Sequence, residues 1–281
     1  MRAIIPVAGL GTRLMPVTSC VPKALFPLVD GAGRITTILQ VILEQVKAGG
    51  VDEVAIIVSP GQQGTIETYL CAAGLRSKRE LPKKLTYIDQ REPLGFGHAV
   101  YQGRSFVGSG PFMVLLGDYI HIAAAGSAAC VRQVVDAFSA TGGAAMVGVQ
   151  AVDRGDLARV GVATGERVAD GTYRCTRFVE KPTLELAQEG LKTRGVAGEG
   201  YLGHCGVYLF DAVLFDYLEQ VARRASAENR EIELAAAQSL LLENDPANYY
   251  LCEIKGRSYD TGTPMAYAEA FRAYHSQEHK K

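Results

Sequence analysis

The first residues able to do chemistry lie near the start of the chain, in IIPVAGLGTRLMPVTSCVPKALFPL, where Gly9-Leu10-Gly11-Thr12-Arg13 follows a short apolar run. Glycines let a backbone turn tightly and approach a ligand closely, and N–H groups exposed in such a turn form a concavity suited to phosphate oxygens. Lys23 follows Arg13 within the same stretch, so a planar guanidinium fork and a point charge can converge on a polyphosphate. Two known phosphate-binding patterns fail here on residues. A dinucleotide fingerprint needs G-x-G-x-x-G, but its third position is Leu14, and a P-loop needs a Gly-Lys-Ser/Thr end that is missing. For the loop taken alone, a plain βα turn with two solvated cations remains the competing reading.

Along the rest of the chain, hydrophobic periodicity switches repeatedly between the strand and helix patterns. Arg2 to Val7 reads as a buried strand, and Ile35, Ile38, Leu39, Ile42, Leu43 and Val46 fall at helical spacing before the stop Gly49-Gly50. EVAIIVS (Glu53 to Ser59) predicts the next strand, followed by a helix to about Gly74, a strand near Leu85 to Ile88, a helix after Gly97 and the strand FMVLLGD ending at Asp118. This alternation predicts a largely parallel sheet. A helix near Val131 to Ala140 and the strand AAMVGVQ come next. RVGVAT and TYRCTRFVEKP then resemble an antiparallel pair, an annex of the size a sugar needs. The last third predicts a strand GVYLF, helices around Asp211 to Arg224 and Ile232 to Leu242, a strand YYLCEIKG and a closing helix from Pro264.

Length and charge narrow the partners. The 281 residues suit one α/β unit with a modest appendage, and no low-complexity linker or repeat divides them. The 29 Lys and Arg nearly cancel the 30 Asp and Glu, so no basic excess exists to hold a nucleic-acid backbone or an anionic membrane. An anionic ligand must be met by a local cluster. Arg2 and a short apolar run broken at Pro6 make neither a secretory h-region nor a spanning helix, which leads to the expectation of a cytoplasmic protein. Cys20, Cys71, Cys130, Cys175, Cys205 and Cys252 contain no C-x-x-C pair, and most are expected as small core residues rather than zinc ligands or disulfides.

Taken together with later segments, the opening stretch resembles the signature of the sugar-1-phosphate nucleotidylyltransferases, roughly G-x-G-T-R-L-x-P-x-T-x-x-x-P-K-x-x-x-P. QREPLGFGHAV (Gln90 to Val100), LLGDY (Leu115 to Tyr119), FVEKP (Phe178 to Pro182) and DTG (Asp260 to Gly262) agree with that family in order, across most of the chain. The resemblance implies a three-layer α/β/α, Rossmann-like fold with a mixed, mainly parallel sheet and a small sugar-binding annex. It implies one domain over residues 1–281, with 1–150 mainly for the nucleotide and 151–281 mainly for the sugar phosphate and the C-terminal helices. Within the family, the G-x-GHAV form and the P-K-x-x-x-P-L-V-D ending most resemble the uridylyl-transferring branch, so UTP and glucose 1-phosphate are the expected substrates, with no nucleic-acid or membrane partner and a homo-oligomeric assembly. Thymidylyl transfer is the nearest rival, and a catalytically silent nucleotide-sugar sensor is the rival from another class.

The chemistry so implied is attack by an anionic sugar phosphate on the α-phosphorus of a nucleoside triphosphate. Negative charge meets negative charge, so cations and a divalent metal must be supplied. Ala8, Gly9, Leu10, Gly11 and Thr12 would cradle the nucleotide, Arg13 the leaving polyphosphate, Lys23 the phosphates near the transfer point and Lys181 the attacking sugar phosphate. Asp118, after an apolar strand, and Asp260, before a glycine, offer hard oxygens that suit Mg²⁺, and the family places a metal at this pair. Glu180 would accept from sugar hydroxyls, although adjacent strand residues point to opposite faces, so a bend or bulge beside Pro182 must bring Lys181 to the same side. Gly161 would let the hexose pack on the backbone, with Gly206 as a further sugar-side glycine. Gln90 carries both the donor and the acceptor needed to read one pyrimidine edge, and Gly95 leaves room for the base. His98, His204, His275 and His279 have no partner at metal-ligand spacing and read as structural or solvated.

Overall fold

Residues 1–72, 74 and 79–277 are described by a computed structural model, in which Arg2–Pro6 forms the strand β1. In chain order there follow β2 (Pro27–Val29), β3 (Ile35–Thr37), α1 (Ile38–Ala48), β4 (Glu53–Val58), α2 (Gln62–Ala72), β5 (Lys84–Asp89), α3 (Phe96–Gln102), α4 (Arg104–Val107), β6 (Phe112–Leu115), β7 (Tyr119–Ala123), α5 (Cys130–Thr141) and β8 (Ala145–Val152). The second half adds β9 (Gly161–Ala169), β10 (Thr172–Glu180), α6 (Leu184–Gly190), β11 (Tyr201–Phe210), α7 (Leu214–Glu228), α8 (Leu234–Asn244), β12 (Tyr249–Glu253), β13 (Gly256–Asp260) and α9 (Pro264–His275). His279 lies outside the described residues.

Nine strands form one mixed sheet in the order β5-β4-β1-β6-β11-β8-β12-β10-β9. β5, β4, β1 and β6 are mutually parallel, whereas β11 runs antiparallel to both β6 and β8. The period-2 alternation of a strand sorts its side chains onto two faces. Ala3, Ile5, Val54, Ile56, Met113 and Leu115 share a buried cluster with apolar residues of α1, α2, α5 and α9. Ile4, Ala55, Ile57, Phe112 and Val114 pack on the other face with α3, α7 and α8. Helices cover both faces, so three layers result. Strands such as EVAIIV are accordingly almost wholly buried, which is why they read as continuous apolar runs. Cys130, Cys175, Cys205 and Cys252 are buried small residues of this core, while Cys20 and Cys71 are exposed.

β9 and β10 form the expected antiparallel pair, with two register shifts, and pack with α6 over a small cluster of Val152, Leu157, Val162, Ala187, Leu191 and Tyr201. The structure adds elements that the sequence reading lacks. β7 pairs with β13 as a two-stranded ribbon, and β2 with β3 as another. YIHIA and GRSYD are too short and too mixed in polarity for a period of two to stand out. Among the described residues no helix is long and apolar enough to cross a membrane.

Candidate active site

Beyond Pro6 the chain leaves β1 and turns through Val7 to Arg13 at the carboxyl ends of the parallel strands, where ligands of such sheets bind. The turn is held by its own contacts. Gly11 has φ +61, and a Cβ there would lie 2.8 Å from Cγ2 of Thr18, whose hydroxyl donates to the Gly11 carbonyl at 2.9 Å. Ser59, at the end of β4, donates its hydroxyl to the Ala8 carbonyl at 2.7 Å. A Cβ on Gly9 would meet nothing within 4 Å, so this backbone is bare toward the adjoining cavity of about 370 Å³. Ala8, Leu10, Gly11, Thr12 and Arg13 line that cavity with Gly9.

Three charged side chains expected from the sequence meet at Gly262, and a fourth, Asp118, joins them through Lys23. A Cβ on that glycine would lie 2.7 Å from Asp260 Oδ1, 3.0 Å from an Arg13 guanidinium nitrogen and 3.3 Å from Lys23 Nζ. Lys23 Nζ itself lies 2.5 Å from Asp118 Oδ2. The ribbon sets this geometry: Asp260 pairs with Tyr119, so the two aspartates leave adjacent strands side by side. Thr261, fully buried, clamps them by donating both its N–H (2.9 Å) and its hydroxyl (2.7 Å) to the Asp118 carbonyl. Burial and the two nearby carboxylates push the Tyr119 phenol upward, so it stays neutral.

Gln90 is buried on the cavity wall. Its Nε2 donates to the Gly95 carbonyl and faces His98 Nδ1, both at 3.1 Å. One amide hydrogen is thereby used within the protein, and Oε1 remains for a ligand. Gly95 has φ +107, and a Cβ on it would stand 2.8 Å from the Ile232 carbonyl oxygen and 3.0 Å from Glu231 Cβ. Its room is taken by the 231–232 backbone, which bonds back through Ile232 N–H to the Leu94 carbonyl at 2.7 Å.

A second cluster gathers at the start of β9 and end of β10, where Gly161 pairs with Glu180. A Cβ on Gly161 would be 2.7 Å from Phe178 Cε2, 2.8 Å from Glu180 Oε2 and 3.0 Å from His204 Nδ1. Lys181 has φ +47, in the left-handed region that side-chain-bearing residues rarely occupy. That single twist is the bend anticipated beside Pro182: it places Lys181 Nζ 3.5 Å from Glu180 Oε1 instead of on the opposite face. Desolvation raises the Glu180 carboxyl above its usual range and Glu233 adds to this, against the lowering effect of Lys181. Gly206 does not join the cluster. It is buried inside β11 within a register shift, and its open side is filled by Leu116.

Two residues were missed by the sequence reading. Glu231 lines the first cavity, and its place in NREIELAAA, next to a helix start, is the signal that would have found it. A guanidinium nitrogen of Arg159 lies 3.7 Å from Asp260 Oδ2, and nothing local in LARVG announces that partner. Of the expected histidines, His98 bonds to Gln90 and His275 to the Asp30 carbonyl, while His204 is buried.

Comparison with known proteins agrees across the whole chain. Residues 2–277 match the family model described as nucleotidyl transferase. A UTP–glucose-1-phosphate uridylyltransferase 2 of Staphylococcus saprophyticus is 30% identical, covering 97% of this chain and 91% of the relative. Among solved structures, a UDP-glucose pyrophosphorylase complexed with UDP-glucose superposes with a TM-score of 0.77 at 24% identity over 97% of both chains. A putative glucose-1-phosphate thymidylyltransferase from Bacillus anthracis, in complex with a sucrose, gives 0.75 at 23% identity over 100% of this chain and 98% of that one.

Proposed function

The chain belongs to the nucleotidyl transferase family, and from that premise we propose that it joins UTP and glucose 1-phosphate into UDP-glucose with release of pyrophosphate. The reading is supported above all by the meeting of Arg13, Lys23, Asp118 and Asp260 around Gly262, beside a bare glycine turn. A binding module that only sensed a nucleotide sugar would gain nothing from holding two carboxylates and two cations at one point.

In this mechanism an oxygen of the sugar phosphate forms a bond to the α-phosphorus while the bond from that phosphorus to the bridging oxygen breaks, and pyrophosphate departs. The nucleophile is already ionised, so no general base is required, and positioning and charge stabilisation supply the rate. Backbone N–H groups of Gly9 to Thr12 hold the triphosphate, and Arg13 and Lys23 take up charge on the departing pyrophosphate. Lys181 neutralises the incoming phosphate, and Glu180 accepts from sugar hydroxyls at the hexose subsite over Gly161. Gln90 Oε1 accepts from the N3–H of the base. The nucleotide part draws mainly on residues 1–150 but borrows Glu231 and Gly262 from the second half.

Asp118 and Asp260 fit a divalent cation. They are hard oxygen donors at neighbouring strand ends whose charge is met in this structure by Lys23 at 2.5 Å and Arg159 at 3.7 Å, and together they would hold a cation such as Mg²⁺. Bound there, it would neutralise the triphosphate and polarise the α-phosphoryl group. The experiment is a panel of UTP, dTTP, ATP and CTP against several sugar 1-phosphates, scored by pyrophosphate release. UTP with glucose 1-phosphate is expected to give the highest kcat/KM. Because Oε1 of Gln90 serves thymine as well as uracil, dTTP is the critical comparison, and no release with any pair would overturn catalysis.

A further inference from the structure

The hexose subsite contains a group that the reaction as described does not use. His204 lies in β11, is 5% exposed, and stacks on Phe178 with ring centroids 4.6 Å apart and planes 13° apart. Tyr208 abuts it edge-on at 5.8 Å and 73°, so the imidazole is fixed in orientation by two aromatic rings. Its Nε2 is buried without a hydrogen-bond partner, whereas Nδ1 is turned toward Gly161, beside Glu180 Oε2. Burial holds its pKa down to about 3, so the ring is neutral and carries one N–H and one lone pair. An orphaned buried N–H is costlier than an orphaned lone pair, which puts the proton on Nδ1 and the lone pair at the buried, unpartnered Nε2.

We infer that the His204 Nδ1–H and the Glu180 carboxylate act as a donor–acceptor pair that grips one hydroxyl of the hexose, making His204 a specificity-determining residue for the sugar phosphate. A sugar hydroxyl both donates and accepts, so it satisfies the two at once: its hydrogen goes to Glu180 and its oxygen receives the imidazole proton. A hexose lacking that hydroxyl leaves the Glu180 carboxylate and the His204 N–H without the partner that would satisfy both. The pair thus distinguishes sugars by hydroxyl position, a task that backbone contact at Gly161 alone cannot perform. This inference rests on the hexose subsite proposed above.

The test uses glucose 1-phosphate and its 2-, 3- and 4-deoxy analogues as probes with the intact protein, its His204→Val variant and its His204→Asn variant, the last keeping a donor. In the wild type one analogue is expected to lose roughly 10–100-fold in kcat/KM, the scale of a hydrogen bond involving a charged group. In His204→Val that discrimination should shrink to within a few-fold, His204→Asn should restore much of it, and the KM for UTP should not change. The affinity ratio of UDP-glucose to UDP, measured by calorimetry, should fall in His204→Val while UDP binding stays constant. A wild type indifferent to every deoxy position would overturn the inference without any variant. So would a His204→Val protein that keeps the wild-type profile, or that weakens all sugars by one common factor, which is the mark of a structural role. Failure of the wild type to turn over any sugar phosphate would instead bring down the substrate reading and this one with it.

Discussion

Lys181 adopts φ +47, a conformation that costs a residue with a β-carbon about 1–2 kcal/mol. Strain of this kind persists where the surroundings over-determine it, and here it turns an ammonium group onto the same side as Glu180. Stability and activity should then respond in opposite directions. Lys181→Ala is expected to lower kcat by roughly 10²–10³-fold, as for loss of one charge-stabilising donor in a preorganised site. Lys181→Gly should lose as much activity yet raise the unfolding free energy by about 0.5–1 kcal/mol through relief of the left-handed backbone. Parallel kinetics and denaturant unfolding decide it, and a glycine variant with near-normal turnover would remove Lys181 from the chemistry. The aspartates call for a different measurement. Asp118→Asn and Asp260→Asn each remove a hard anionic ligand, so the Mg²⁺ concentration giving half-maximal activity should rise by about tenfold or more. Full wild-type activity in excess chelator would refute the metal reading outright.

At the scale of elements, legibility followed the strength of local pattern. The run into β1, the glycine turn after it, the two-sided burial of EVAIIV and the β9–β10 pair were all readable because periodicity and residue type act over neighbouring positions. The β7–β13 ribbon was not, since its strands are more than a hundred residues apart and neither has a periodic signature, yet it sets the spacing of Asp118 and Asp260. Both aspartates, and their meeting at one point, were implied by the family motifs, while the ribbon that brings them together was not. Gly95 shows a similar division: the sequence marks the glycine, but only the fold reveals that the 231–232 backbone occupies its open side. Gly95→Ala combines an unfavourable φ of +107 with a clash against the Ile232 carbonyl. The loop carrying Gln90's partner carbonyl must then move. The expected outcome is a loss of about 1–3 kcal/mol in stability and a rise in the KM for UTP, with the KM for glucose 1-phosphate little altered. Equal rises in both would mean that the loop does not belong to the base pocket.

At the scale of the whole molecule, two histidines were placed by folding where no local pattern foretold it. His121 on β7 is buried, with Nε2 2.9 Å from the Cys205 carbonyl and Nδ1 2.9 Å from Gln45 Oε1, and its pKa is lowered by burial to about 4; His204 is lowered to about 3. In the unfolded chain both titrate near pH 6.5. Between that value and their native pKa values the unfolded state binds protons that the folded state refuses, so stability rises with pH across this window. The contribution is fully present above about pH 6.5 and is lost as pH falls toward 4. Each histidine should account for about 1 kcal/mol of lost unfolding free energy from pH 6 to pH 5, since one pH unit of differential protonation is worth about 1.4 kcal/mol. Asp30, where hydrogen bonds and Arg34 outweigh desolvation, and Asp52, where the bond to Lys47 does, have lowered carboxyls that act in the same direction only near and below pH 4, outside the range from pH 7 to pH 5. Urea unfolding at pH 7, 6 and 5 gives the slope, and His121→Gln, which keeps hydrogen-bonding capacity without a titrating ring, should flatten it by about 1 kcal/mol per unit. A variant with the wild-type slope would mean that His121 is protonated in the folded protein, and that its bond to the Cys205 carbonyl outweighs the desolvation of a charged imidazole.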